Sequence, residues 1–176
     1  IIEASREGIV HFGENRVQEA AQKIPSVIGG LVWHMVGPLQ SNKATLAVTL
    51  FDHVDSIHSE KIVDVLAARA GTVGRVIRVL IQVNISGEDT KSGVIPGKAR
   101  DLVQGLMTIG SFGVTPDVTR TEFARMRELF NRLREDPEIG STMQVLSMGM
   151  SGDYRIAVEE GSTMVRIGTA IFGKRT

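Results

Sequence analysis

Seven short apolar runs rich in β-branched residues recur along the chain, at residues 9–12, 31–36, 50–57, 76–85, 106–109, 145–150 and 164–172. Segments of helical period separate most of them, and this alternation constrains the fold more than any other feature. Strands that are apolar on both faces and joined through helices pair as a mostly parallel sheet. After Ser59, a candidate N-cap, the residues Ile62, Val65, Leu66 and Ala70 fall at i, i+3, i+4 and i+8 and form one apolar stripe, with Arg69 at its edge. Thr119 and Glu122 have the spacing of a capping box ahead of a helix that carries Phe123, Met126, Phe130 and Leu133 on one face, and Pro137 closes it. Further helices are predicted over 15–23 and 41–50, and from Ser151 to Gly161, where a glycine suits the left-handed position after the last turn. Such a pattern admits an open doubly wound sheet or a (β/α) barrel lacking one member. With 176 residues and no linker, low-complexity tract or charge block, a single domain over 1–176 is expected.

Composition narrows the partners. Lys+Arg and Asp+Glu are 20 each, so there is no basic surplus of the kind that binds a phosphate backbone, and nucleic acid is not expected. The absence of cysteine removes disulfides, thiolate nucleophiles and Cys-based zinc sites together. No stretch approaches the roughly 18 apolar residues of a membrane span, and IIEASREG is not a basic leader, so a cytoplasmic protein is expected. Glycine contributes 19 residues, which points to tight turns or to backbone that approaches a ligand closely.

In (β/α) barrels the chemistry sits at the C-terminal strand ends, and phosphate commonly binds the loops after the last two strands. Here those two runs end in VLSMGMSGD, with Ser147, Gly149 and Ser151, and in MVRIGTAIFG, where Arg166 leads into Gly168 and Thr169. Bare amides, hydroxyls and a helix start suit a phosphate dianion. Equally, the glycines serve simply to turn the chain from strand to helix. Earlier strand ends offer Asn15, His34 and the polar loop 87–93 with Lys91; for His34 a hydrogen-bonded core histidine is the plainer reading. His11, His34, His53 and His58 show no HExxH or similar spacing, so no metal site is expected. Glu159 and Glu160 read as solvated, and Met148, Met150 and Met164 as core fillers beside the phosphate loops. Motifs for serine hydrolases, P-loop NTPases and Rossmann dinucleotide binding are missing.

Six blocks together resemble one family: FGENRVQEA at 12–20, WHMVGPLQSNK at 33–43, QVNISGEDTKSGV at 82–94, GLMTIG at 105–110, LSMGMS at 146–151 and GSTMVRIGTAIFG at 161–173. In this order they look like the pyridoxal phosphate homeostasis proteins, which are related to the N-terminal barrel of alanine racemase. The resemblance implies a (β/α)8 TIM-type barrel that holds pyridoxal 5′-phosphate (PLP), with no assigned catalytic reaction. It implies that Ser151, Gly168 and Thr169 hold the cofactor phosphate, that Arg166 faces the pyridine nitrogen, and that Asn15, His34 and Met148 line the ring. An arginine there does not readily give up a proton, so the ring nitrogen stays unprotonated and the ring is a weaker electron sink than one paired with aspartate.

Two departures from the family follow. Its Schiff-base lysine lies on a first strand upstream of the segment that IIEASREGIVHFGEN resembles, so the barrel is expected to be N-terminally truncated, with that strand and that lysine absent. Lys23, Lys43, Lys61, Lys91, Lys98 and Lys174 belong to other positions. Between Val94 and Gly105 only IPGKARDLVQ replaces a longer helix, which predicts a stunted crossover. A barrel without its first strand leaves strand edges open, so marginal stability or self-association is expected. The expected function is intracellular PLP homeostasis by cofactor buffering and transfer, with PLP-dependent apo-enzymes as partners. A racemase-like PLP enzyme is the first alternative, disfavoured because two-sided proton transfer needs an opposing group from a second domain. A sugar-phosphate barrel enzyme is the other, and the paired carboxylates such isomerases often use are not evident.

Overall fold

The computed structural model describes residues 1–85 and 102–173. Ser86, the loop 87–93 with Lys91, Lys98, Lys174 and most of the expected short crossover lie outside the described residues. Seven strands form one sheet in sequence order: β1 (His11–Glu14), β2 (Val32–Met35), β3 (His53–Ile57), β4 (Arg78–Val83), β5 (Val103–Thr108), β6 (Val145–Met150) and β7 (Met164–Arg166). The described pairings β1–β2, β2–β3, β3–β4, β5–β6 and β6–β7 are all parallel. The chain forms two compact units, residues 1–81 with 93–103 and residues 82–92 with 104–176.

Among the described residues of the first unit the helices are α1 (Ile2–Arg6), α2 (Val17–Lys23), α3 (Ala44–Leu50) and α4 (Glu60–Thr72), with 3-10 turns at Ile24–Ser26 and Ser41–Lys43. Ile62, Leu66 and Ala70 of α4 are buried as the stripe predicts, and Val63 joins them while Val65 is half-buried. Ser59 is the N-cap by position, but its side chain makes no capping hydrogen bond. Phe12 and Trp33 bring their rings to 5.8 Å on neighbouring strands, and Met35, Val48, Val54, Ile57 and Leu66 complete the core. The run at 50–57 divides: Leu50 ends α3, Phe51 is a buried link, and pairing begins at His53.

The second unit holds α5 (Pro116–Arg134), α6 (Tyr154–Glu159) and α7 (Thr169–Phe172). Phe123, Met126 and Phe130 of α5 are buried with Leu106, Met107, Leu146 and Met148. The expected capping box is not formed. Thr115 is the N-cap and Pro116 opens the helix a turn earlier, because a proline at the first position lacks only an amide that would go unbonded there and already has the helical φ. Glu122, inside the helix and buried, instead accepts from the Ser111 amide at 2.9 Å and the Ser111 hydroxyl at 2.5 Å. Glu159 and Glu160 are also not merely solvated: the Arg120 guanidinium pairs with both. The run at 164–172 is a strand only as far as Arg166, after which the chain turns into α7.

Candidate functional site

The last two strand ends are built to meet. At the end of β6, Gly149 has φ +94°, and a Cβ there would lie 2.5 Å from the Ala157 Cβ and 3.0 Å from the Tyr154 Cα. Glycine alone lets α6 fold back so tightly on its own strand. The Met150 amide donates to Asp153 Oδ1 at 2.6 Å and the Asp153 amide returns to the Met150 carbonyl at 3.1 Å, a local clamp that sets the direction of Ser151 between them. Gly161, at φ +87°, ends α6 as the sequence predicts: Ser162 N–H reaches the Ala157 carbonyl at 2.8 Å and Gly161 N–H the Val158 carbonyl at 3.0 Å. From there β7 runs into Gly168 and α7.

Ser151 Oγ then accepts from the backbone amides of Gly168 at 3.2 Å and of Ala170 at 3.3 Å. Ser151 is half-buried, while Gly168, Thr169 and Ala170 are exposed. Two amides from the start of α7 therefore converge on one hydroxyl oxygen at an accessible corner, and oxygen of a phosphate monoester asks for that same donor pair. The residues present fit the phosphate end of PLP.

Arg166 lies one strand end away in the same unit. Its Nη1 donates to Ser147 Oγ at 2.6 Å and its Nη2 to the Thr108 carbonyl at 2.7 Å, while the Thr108 hydroxyl donates to the Val83 carbonyl at 2.8 Å. Met148 is fully buried in the core of this unit. The structure sets Ser151 on the amides of Gly168 and Ala170, and it sets Arg166 on Ser147, read from the sequence only as a strand-end hydroxyl, and on Thr108, which the sequence did not single out.

In the first unit, Asn15 is exposed directly after β1, and Gly37 makes room for it, since a Cβ on Gly37 would lie 2.2 Å from the Asn15 carbonyl oxygen. The buried carboxylate of Glu14 holds the Lys23 ammonium through both oxygens, at 2.8 and 3.0 Å. His34 is buried and bonded at both ring nitrogens, Nδ1 to Asp55 Oδ2 and Nε2 to His11 Nδ1, each at 2.9 Å. A neutral His34 that donates from Nδ1 to the carboxylate presents Nε2 as acceptor for His11 N–H. His53, the register partner of His34 on β3, stacks on its ring at 4.3 Å with the planes 16° apart. Burial, reinforced by the neighbouring His34, lowers the His53 imidazole from 6.5 to about 4, and Arg78 adds to the shift while Asp55 and Asp52 oppose it. The same two causes lower His11 to a smaller extent.

His34, His53 and Asp55 bring one potential metal-ligand atom each within 4.8 Å of one another, a cluster that the sequence spacing of the histidines does not reveal. The near-parallel stack holds the lone pairs of the two rings in separate planes, so in this arrangement they do not aim at one ion. Asp55, and two histidines in apolar strands, were the available signal, because a buried polar group in such a setting requires a partner.

The architecture is that of the alanine racemase N-terminal domain, whose family model matches residues 1–176. Alanine racemase of Clostridium difficile shares the fold at a TM-score of 0.78 and 15% identity, covering 99% of this chain and 48% of that one. The pyridoxal phosphate homeostasis protein of Pasteurella multocida is 41% identical over 192 residues, covering 99% of this chain and 81% of the relative, and that of Aquifex aeolicus is 38% identical, covering 96% and 78%. PipY of Synechococcus elongatus PCC7942, solved with PLP bound, superposes at a TM-score of 0.83 with 36% identity over 97% of this chain and 85% of its own. This chain belongs to the pyridoxal phosphate homeostasis protein family, and its fold is the alanine-racemase type of (β/α) barrel, as the sequence blocks imply.

Proposed function

We propose that this chain binds PLP by its phosphate at Ser151, Gly168 and Thr169, holds the ring beside Arg166, and serves as a reservoir that yields the cofactor to PLP-dependent apo-enzymes in the cytoplasm without turning over a substrate of its own. The observation that carries the reading is the convergence of the Gly168 and Ala170 amides on Ser151 Oγ. PLP bound in PipY and the homeostasis names of the relatives support the ligand and the role. Bound PLP supplies an aldehyde and an electron-withdrawing ring; a permanently charged guanidinium at the ring nitrogen keeps that ring a weak electron sink, which favours storage over carbanion chemistry. Asn15 stays in the proposal as an exposed polar side chain at a strand end. His34 and Met148, both buried, are assigned to the cores of their units. Among the described residues no helix is long and apolar enough to cross a membrane. The sheet order ends at β1 and β7, and self-association through these two strands is part of the reading.

Titration with PLP, followed by visible absorbance and by borohydride trapping, tests it. Expected are saturable binding that inorganic phosphate competes away, no lysine trapped at stoichiometry, and an affinity about tenfold lower in Ser151→Ala, as for loss of one charge-assisted hydrogen bond. Unchanged affinity in both Ser151→Ala and Arg166→Ala would overturn the site.

A further inference from the structure

We infer that Ser147 is a positioning residue of the cofactor site: it fixes the Arg166 guanidinium and thereby sets how strongly the site distinguishes a ring nitrogen. The inference rests on the PLP reading above. Ser147 is the only polar side chain in the strand VLSMGM and is completely buried, a position where alanine would fill the space as well and where a hydroxyl needs a hydrogen-bond partner. That partner is Arg166 Nη1, at 2.6 Å.

The second grip comes from the next strand. Met107 is the register partner of Ser147, and the carbonyl of the adjacent Thr108 takes Arg166 Nη2 at 2.7 Å. Thr108 is itself fully buried and tied through its hydroxyl to Val83. Nη1 and Nη2 are therefore each held by a group inside a regular strand. A free arginine side chain loses rotamer entropy when ordered; here that ordering is already present before any ligand arrives, so binding does not have to supply it. Of these two contacts the one to Ser147 is made by a side chain, so substitution can remove it.

The test is a double-mutant cycle on the full chain, with PLP and with its analogue carrying CH in place of the ring nitrogen. Ser147→Ala is expected to weaken PLP about tenfold, as for a lost hydrogen bond to a charged group, and to leave competition by inorganic phosphate unchanged. The loss should disappear in the Arg166→Ala background and should be largely absent for the nitrogen-free analogue. Ser147→Thr, which keeps the acceptor, should bind like the unaltered chain. An equal loss in Ser147→Thr and Ser147→Ala, or an undiminished Ser147→Ala penalty without Arg166, would overturn the inference while leaving the PLP site standing. No PLP binding by the unaltered chain would overturn the cofactor reading and this inference with it.

Discussion

Replacing His53 by phenylalanine should flatten the acid side of the stability curve. The His53 ring is 8% exposed at the start of β3 and stacks on His34. The fold disfavours its protonated form, with the pKa at about 4 against 6.5 for the free side chain. As pH falls below 6.5 the unfolded chain takes up this proton first. Stability is therefore complete above pH 6.5, is lost progressively down to pH 4, and falls no further on this account below that. One pKa unit corresponds to about 1.36 kcal/mol, so the 2.5-unit gap sets a limit of about 3.4 kcal/mol, and the two-state expression gives about 2 kcal/mol at pH 5. His11, shifted in the same direction, adds to the trend.

Urea unfolding at pH 8, 6, 5 and 4.5, on the unaltered chain and on His53→Phe, measures this directly, because subtracting the two curves removes every carboxylate they share. Phenylalanine keeps a flat ring over His34 and cannot titrate. Its penalty at pH 8, from one altered contact set, is expected near 1 kcal/mol. The difference between pH 8 and pH 5 should then shrink by about 2 kcal/mol relative to the unaltered chain. Parallel pH curves for the two proteins would show that burial of the His53 ring does not disfavour its protonated form.

The corner that presents Ser151 should be intolerant of a side chain: Gly149→Ala combines a left-handed backbone position with a Cβ 2.5 Å from Ala157, and a loss of at least about 2 kcal/mol is expected, read as a lower urea midpoint at constant slope. Glu122→Ala removes the buried acceptor of two Ser111 donors and should cost about 2 to 3 kcal/mol, with Glu122→Gln losing less because it keeps an acceptor oxygen; equal losses in the two variants would show that packing, not hydrogen bonding, is at stake.

What the amino-acid order makes legible, and what it hides, divides by range along the chain. The seven described strands can be read because each overlaps a short apolar run, and the Gly161 stop of α6 can be read because a C-terminal glycine acts within five residues. Strand limits are less legible: an apolar stretch such as 164–172 does not reveal that pairing stops at Arg166, since a short apolar helix and a buried strand look alike in sequence. The Thr119–Glu122 spacing matched a capping box, yet Pro116 had already begun the helix, which freed Glu122 to reach Ser111. The groups that order the site are hidden for a different reason. Ser147 and Thr108 reach Arg166 across 19 and 58 residues, and His34 meets Asp55 and His11 across 21 and 23. Such contacts follow only from parallel register, where a one-residue slip turns every side chain to the opposite face. A serine in VLSMGM or an aspartate in HVDSI still carries a usable sign: a polar residue inside an apolar strand must find its partner on a neighbouring strand, so each one marks a contact even where the sequence does not say with whom.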